Sequence, residues 1–360
     1  MPVAIAGMHR AGTSLIARML AMCGLDLGPA EQHLPPQADN PEGFFEHRAF
    51  VDLNERLLAK LGGIWREPPQ TSPGWENDPA LDELLAEAQS LPAQYGLSEP
   101  WGWKDPRNSL TMPLWRRAWP DLHVVVCVRH PLETAYSLLE RDHLPIDVGL
   151  SLWTKYFRQV VSDVPAECRT VVHYGAFFER PEDEIRRLLG RLGLEVGQEQ
   201  LAAACGCVSK KMRHSRLGDA ALRVLGADAE LIDLYTTLCV EAGFDSTIDS
   251  ESLSGEAALQ DAIARLQRSL DVCVRKSWRL LDQEREVLAR EAKLDQMEAM
   301  IAGQRAYIDE REQYIGDLQR HLAVLGTRVA DLEERLSARR HRYADAVANA
   351  AQRVIKPFRR

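Results

Sequence analysis

The residues best suited to chemistry stand near the start of the chain. Gly7-Met8-His9-Arg10-Ala11-Gly12-Thr13-Ser14 follows the apolar run Pro2-Val3-Ala4-Ile5-Ala6 and leads into the apolar-periodic stretch Leu15 to Met22. That order reads as a strand, a glycine loop and a helix. The junction gathers backbone N–H groups and the positive end of a helix dipole into one small space, which suits a phosphate or sulfate group. A loop built for nucleoside triphosphates reads G-x-x-x-x-G-K-[ST], with a lysine reaching the terminal phosphates. Here Thr13 stands in the lysine position, and Arg10, with His9 beside it, is the cation inside the loop.

A second constellation begins at Leu122-His123-Val124-Val125-Val126-Cys127-Val128, a β-branched run of the kind buried on both faces of a sheet. It ends in Arg129-His130-Pro131, with Pro131 suited to the first turn of a helix that carries Ser137 eight residues after Arg129. An arginine at a strand end and a serine two turns into the next helix can close on one phosphate; Arg129 can equally pair with Glu133. Between the two lies Trp101-Gly102-Trp103-Lys104-Asp105-Pro106-Arg107. Lys104 there either serves the reaction centre or pairs with Asp105 while the tryptophans fill core.

Together these segments resemble the sulfotransferases that use 3′-phosphoadenosine 5′-phosphosulfate (PAPS), whose loop x-x-x-[RK]-[SA]-G-T-[ST] and later Arg-x-Pro with Ser eight residues after the Arg match in type, spacing and order. The resemblance spans about residues 1–245. It implies that Gly7, His9, Arg10, Ala11, Gly12, Thr13 and Ser14 hold the phosphosulfate, and that Arg129 and Ser137 hold the 3′-phosphate. It also implies that Lys104 and Arg10 stabilise the transferring group, and that a glutamate takes the acceptor proton. Glu46, at the start of the helix of Phe50, Leu53, Leu57 and Leu58, is the first choice for that base, followed by His47 and Glu42. Lys210 and Lys211, with Arg213 or Arg216, fall where relatives close over the 3′-phosphate, although a solvated basic loop reads the same way. Tyr174-Gly175-Ala176 departs from the Tyr-Glu-Asp common in the family. No metal is implied, since arginine, lysine and amides supply the positive charge. The acceptor implied is a hydroxyl, with a saccharide or surface glycan favoured.

The elements that must position these residues alternate strand and helix, which makes the fold class α/β: a mainly parallel sheet of the P-loop NTPase-like type flanked by helices. Its crevice lies at the strand carboxyl ends, where the glycine loop and Arg129 fall. With 360 residues and 45% hydrophobic side chains, the chain can bury a sizeable core. A net charge of −9 argues against nucleic acid as a general partner. Seven scattered cysteines, no leader ahead of the first strand and no membrane-length apolar run lead to a cytoplasmic expectation. Cys205-Gly206-Cys207 reads as part of a small buried-thiol cluster.

The last third is a different object. The expected division is a sulfotransferase-like domain over 1–245, a polar linker over 246–256, a coiled coil over 257–338 and a basic helical tail over 339–360. Apolar residues recur every seven from Leu259 to Leu336, joined late by Leu318, Leu325 and Leu332, while the companion row is polar at Gln283, Arg290, Gln304 and Arg311. An open seam predicts self-association, with a homodimer expected; folding back on the first domain and pairing with another protein's helix are the alternatives. The tail's Arg339, Arg340, Arg342, Arg353, Lys356, Arg359 and Arg360 could touch an anionic membrane surface or a polyanionic glycan. Two rival functions remain: an atypical P-loop kinase or nucleotide hydrolase, and a non-catalytic coiled-coil assembly protein.

Overall fold

The computed structural model describes residues 1–36, 43–208, 222–223, 227–245 and a helix over 256–355, within which side chains are described at 290, 293, 294 and 296–351. Four strands, β1 (Val3–Gly7), β2 (Gly102–Lys104), β3 (His123–Val128) and β4 (Arg169–His173), form one sheet in the order β2-β1-β3-β4. Every pairing is parallel, with Val3 against both Gly102 and His123, Gly7 against Cys127 and Val128 against His173. β1 and β3 coincide with the two apolar runs of the sequence, Pro2 to Ala6 and Leu122 to Val128.

Strand alternation sorts the core into two halves, because successive side chains leave a strand on opposite faces. Ala4, Ala6, Val124, Val126 and Val171 face one cluster, with α2 (Arg48–Lys60), α3 (Asp82–Gln94), α4 (Asn108–Ala118), α6 (Ile146–Asp163) and α10 (Ala229–Glu241) supplying many of its other residues. Val3, Ile5, Val125, Cys127 and Val172 face the second, with α1 (Thr13–Met22), α8 (Pro181–Leu192) and α9 (Gln198–Gly206). The remaining helices of this part are α5 (Pro131–Asp142) and the short α7 (Ala176–Glu179). Such two-sided cover is what a wholly parallel sheet requires. At the edge of the second half Cys23 and Cys207 are buried but Cys205 is only half-buried; Cys207 Sγ lies 3.0 Å from Met22 Sδ, and burial, then Cys205 and Cys207, raise the pKa of Cys23.

A polar knot lies inside the first half. Asn54, on the buried face of α2, donates to Asp105 Oδ2 at 2.8 Å and to Asn108 Oδ1 at 3.0 Å. Its own carbonyl oxygen accepts from Thr111 Oγ1 at 2.7 Å and from Trp115 Nε1 at 2.9 Å. Trp103 Nε1 closes the knot on Asn108 at 3.0 Å, and the Trp103 ring stacks on Phe50 at 5.0 Å. Buried amides and indoles must find partners, so this one asparagine ties α2 and α4 to the turn after β2.

The last helix, α11 (Glu256–Ile355), continues without a break through the heptad region. Its contacts divide the chain into two units, Met1–Ser277 and Trp278–Arg360. In the second, the heptad row is open to solvent, with Ile308 and Val329 each 54% exposed. The expected linker, but for Glu256, lies outside the described residues. No described helix is long and apolar enough to cross a membrane.

Replacing Asn54 with leucine would remove four buried hydrogen bonds at once and take from Asp105 Oδ2 and Trp115 Nε1 the partner they have here. Asn54→Leu is expected to destabilise the fold by about 3–5 kcal/mol, measured by denaturant unfolding against the parent; an effect below about 1 kcal/mol would contradict the knot's role.

Candidate active site

The glycine loop is anchored from below on three sides. Ser109 Oγ accepts from the Gly7 amide at 2.9 Å and donates to the Gly7 carbonyl at 3.0 Å. The Cys127 thiol, whose pKa burial pushes up to about 12, donates to the Ala11 carbonyl at 3.2 Å. Arg129 Nη1 donates to the Arg10 carbonyl at 3.3 Å. A planar trans peptide sets its N–H opposite its carbonyl, so drawing the Ala11 carbonyl toward Cys127 turns the Gly12 amide the other way.

Two positions in the loop demand glycine. Gly7 has φ +147°, and a Cβ there would lie 2.6 Å from the Cys127 carbonyl oxygen. Gly12 has φ +96°, and a Cβ there would lie 2.2 Å from the ring of Tyr174. Both combine a left-handed backbone with a neighbour too close for any side chain. Thr13 is buried in the first turn of α1, where the lysine of a triphosphate loop would stand.

The arginines converge. Arg10, itself left-handed at φ +69°, donates from Nε to Ser137 Oγ on α5 at 2.8 Å. Arg129, where β3 ends, donates from Nε to Glu133 Oε2 at 3.0 Å as well as to the Arg10 backbone. The pairing with Glu133 and the convergence on the loop therefore hold together. Arg10 reaches out of its own loop to the serine that spacing assigns to Arg129, because its backbone conformation aims the side chain toward α5. Tyr174, just past β4, packs on Gly12 and carries the Arg129 guanidinium over its ring at 5.0 Å. In the sequence Tyr174 stands out only as the retained first residue of a Tyr-Glu-Asp pattern that Gly175 and Ala176 break, which gives it no role.

On the far side of the loop, Lys104 forms a buried ion pair with Glu46 and donates to Ser14 Oγ at 3.3 Å. Asp105 instead pairs with Arg107 at 3.1 Å, so the lysine and its neighbouring aspartate serve different partners. Burial pushes the Glu46 carboxyl above the usual range, Lys104 draws it back and the charge of Asp105 adds to the rise. Burial opposes the Arg107 charge, yet Asp105, Glu46 and Glu55 outweigh it and raise its pKa.

His9 lies against Trp65, ring centres 4.3 Å apart, and its Nε2 has no hydrogen-bond partner among the described residues. Burial, then Arg107, Arg141, Lys104 and Arg66, hold its pKa well below the usual imidazole value. His47 is buried edge-on to Tyr95 at 4.4 Å, and neither ring nitrogen has a partner among the described residues. Glu42, Lys210, Lys211, Arg213 and Arg216 lie outside the described residues. No group of three or more His, Cys, Asp or Glu side chains able to hold a metal ion occurs among the described residues.

A wholly parallel sheet covered by helices on both faces, with a glycine loop between its first strand and first helix, defines an α/β protein. The model of the Sulfotransferase family matches residues 2–198, more than half of the chain, and the protein belongs to that family. A putative protein-tyrosine sulfotransferase of Caenorhabditis briggsae is 26% identical over 110 residues, 27% of this chain and 38% of that one. The chain thus matches little more than a third of that relative's length. Among solved structures, a sulfotransferase from Mycobacterium tuberculosis is 16% identical over 66% of this chain and 76% of its own, with a TM-score of 0.36. One from Alicyclobacillus acidocaldarius is 15% identical over 68% and 96%, with a TM-score of 0.37.

Burial and, secondarily, the charge of His33 lower the His47 pKa to about 4. The folded state therefore binds this proton less readily than the unfolded chain, so its contribution to stability is complete above the ordinary value of 6.5 and is lost as pH falls toward 4. In an NMR titration of the imidazole signals, His47 should stay neutral through pH 6 and titrate near 4; an ordinary midpoint near 6.5 would show that the ring is solvated.

Proposed function

We propose that this protein transfers a sulfuryl group from PAPS to a hydroxyl group of a saccharide, as in a surface glycan. The observation that carries the reading is the meeting of Arg10, Ser137 and Arg129 at one loop, though they come from parts of the chain more than a hundred residues apart. Arginine forks and serine hydroxyls suit a doubly ionised phosphate, and the outward amide of Gly12 with the dipole of α1 suits the phosphosulfate end.

In the reaction the acceptor oxygen attacks sulfur while the bond from sulfur to the bridging oxygen of the nucleotide breaks. Sulfuryl transfer needs little covalent help, so placement and charge dominate. Glu46, with its raised pKa, takes the proton of the acceptor hydroxyl. Lys104, already between Glu46 and Ser14, offers its charge to the departing bridge oxygen. The Arg10 to Ser137 bond opens so that both can turn to the nucleotide, and Tyr174 holds the Arg129 guanidinium in line. The six cysteines among the described side chains are free thiols, which supports a reducing compartment and with it a cytoplasmic place of action. A triphosphate kinase is disfavoured by Thr13 where a lysine would stand.

Two experiments test the reading. The nucleotide product, 3′-phosphoadenosine 5′-phosphate, should raise the melting temperature and ATP with magnesium should not, with Arg129→Ala abolishing the shift; preference for ATP would replace the reading with the kinase. In labelled-sulfate transfer to a panel of sugars, Glu46→Gln should lower kcat by about 10²–10⁴-fold. The parent's activity should fall on the acid side through a pKa above the ordinary carboxyl value of 4.5, because the base must be ionised. An acid limb left in place in Glu46→Gln would remove Glu46 from that role.

A further inference from the structure

The second unit contains a helical surface that the catalytic reading leaves unused. From Leu294 to Leu336 the apolar residues of α11 recur every seven and stand in solvent, with Ile315 51% exposed and Leu322 67%. From Ile315 onward Leu318, Leu325 and Leu332 add a second row three residues on, also about half exposed. Alternating steps of three and four are the a and d positions of a heptad, and a stripe of this length is a surface that binds something.

The flanking charges say what binds. With Ile315 at a, Lys293 and Arg328 occupy g positions and Glu298 and Glu333 occupy e positions, all of them exposed. In two parallel, in-register helices each g side chain meets the e side chain five residues further along the other helix. Lys293 then meets Glu298, and Arg328 meets Glu333, each pair formed twice by the two-fold symmetry. An antiparallel pair overlapping along the same seam would set Glu298 against Glu333, like against like. At the d position Arg311 is turned along its own helix, its Nε donating to the Tyr307 hydroxyl at 2.9 Å and its guanidinium lying over that ring at 5.2 Å. The cation least suited to the seam is thus drawn toward its g-side edge. The same g-to-e rule sets Arg335 against Arg340, which ends the favourable stretch near Leu336.

We infer that α11 pairs with α11 of a second copy of this chain, parallel and in register over residues 293–336, with Lys293 to Glu298 and Arg328 to Glu333 as the ion pairs that select this orientation. The inference uses only the helix and is independent of the catalytic reading.

The test uses the full chain carrying Cys273→Ala, so that the one cysteine of the heptad row cannot crosslink. Ile301→Cys, Ile315→Cys and Val329→Cys are introduced one at a time, and each oxidised protein is run on a non-reducing gel. All three should crosslink to dimers and the parent should not, because a parallel in-register pair brings every a position against its own copy. Crosslinking at 315 without 301 and 329 would mark an antiparallel pair and overturn the inference. A monomer at micromolar concentration in sedimentation equilibrium would overturn it too, whether the helix folds back on its own chain or awaits another protein. Arg328→Glu should weaken the dimer about tenfold, and adding Glu333→Arg should restore it; a dissociation constant unmoved by Arg328→Glu would remove the ion pairs from the inference. Circular dichroism checks that each variant keeps its helix. Loss of the dimer with nucleotide binding intact would leave the proposed function standing, and the reverse result would leave the dimer.

Discussion

The organisation of the first unit depends on how the loop after β1 is held. Backbone amides keep a fixed direction only if the carbonyls on the opposite side of their peptides are held. Here the Gly7, Arg10 and Ala11 carbonyls accept from Ser109, Arg129 and Cys127. The three donors come from a helix after β2, the end of β3 and β3 itself, so the loop is only as well placed as the parallel sheet that brings those elements together. Tyr174 completes the enclosure, since its ring fills the space that any side chain at Gly12 would need.

Charge is arranged with the same economy. Lys104, Glu46, Asp105 and Arg107 are all buried, a costly condition for ions that is met by pairing each with an opposite charge. The Asn54 knot fixes Asp105, Asp105 takes Arg107, and Lys104 is thereby left to Glu46 and the loop. An adjacent lysine and aspartate thus end in different ion pairs, and the lysine's lies beside the glycine loop.

Much of this was legible in the chain. The apolar runs became β1 and β3 because a strand covered on both faces has to be apolar. Pro131 opened α5 because its fixed φ suits a first helical turn. The heptad row of α11 was readable because its period is a property of the chain alone. Asn54 was not legible: on a helix it looks like a single polar residue on an apolar face, and its four partners lie as many as sixty-one residues away. The role of Tyr174 was not legible for the same reason, because its neighbours Gly12 and Arg129 come from the loop after β1 and the end of β3. The choice between Asp105 and Glu46 as the partner of Lys104 was also beyond the sequence, as was Arg10 turning to Ser137.

By itself, then, the sequence determined the kinds of element, their order, the presence of a glycine loop lacking the triphosphate lysine, and the repeat of the last helix. These are local properties, set by backbone preference and by the period at which apolar residues recur. Tertiary structure decided which charged groups pair, which aromatic ring roofs the loop and which two arginines meet. Those outcomes depend on distances between residues far apart in the chain, and such distances exist only once the parallel sheet has brought the carboxyl ends of its strands side by side.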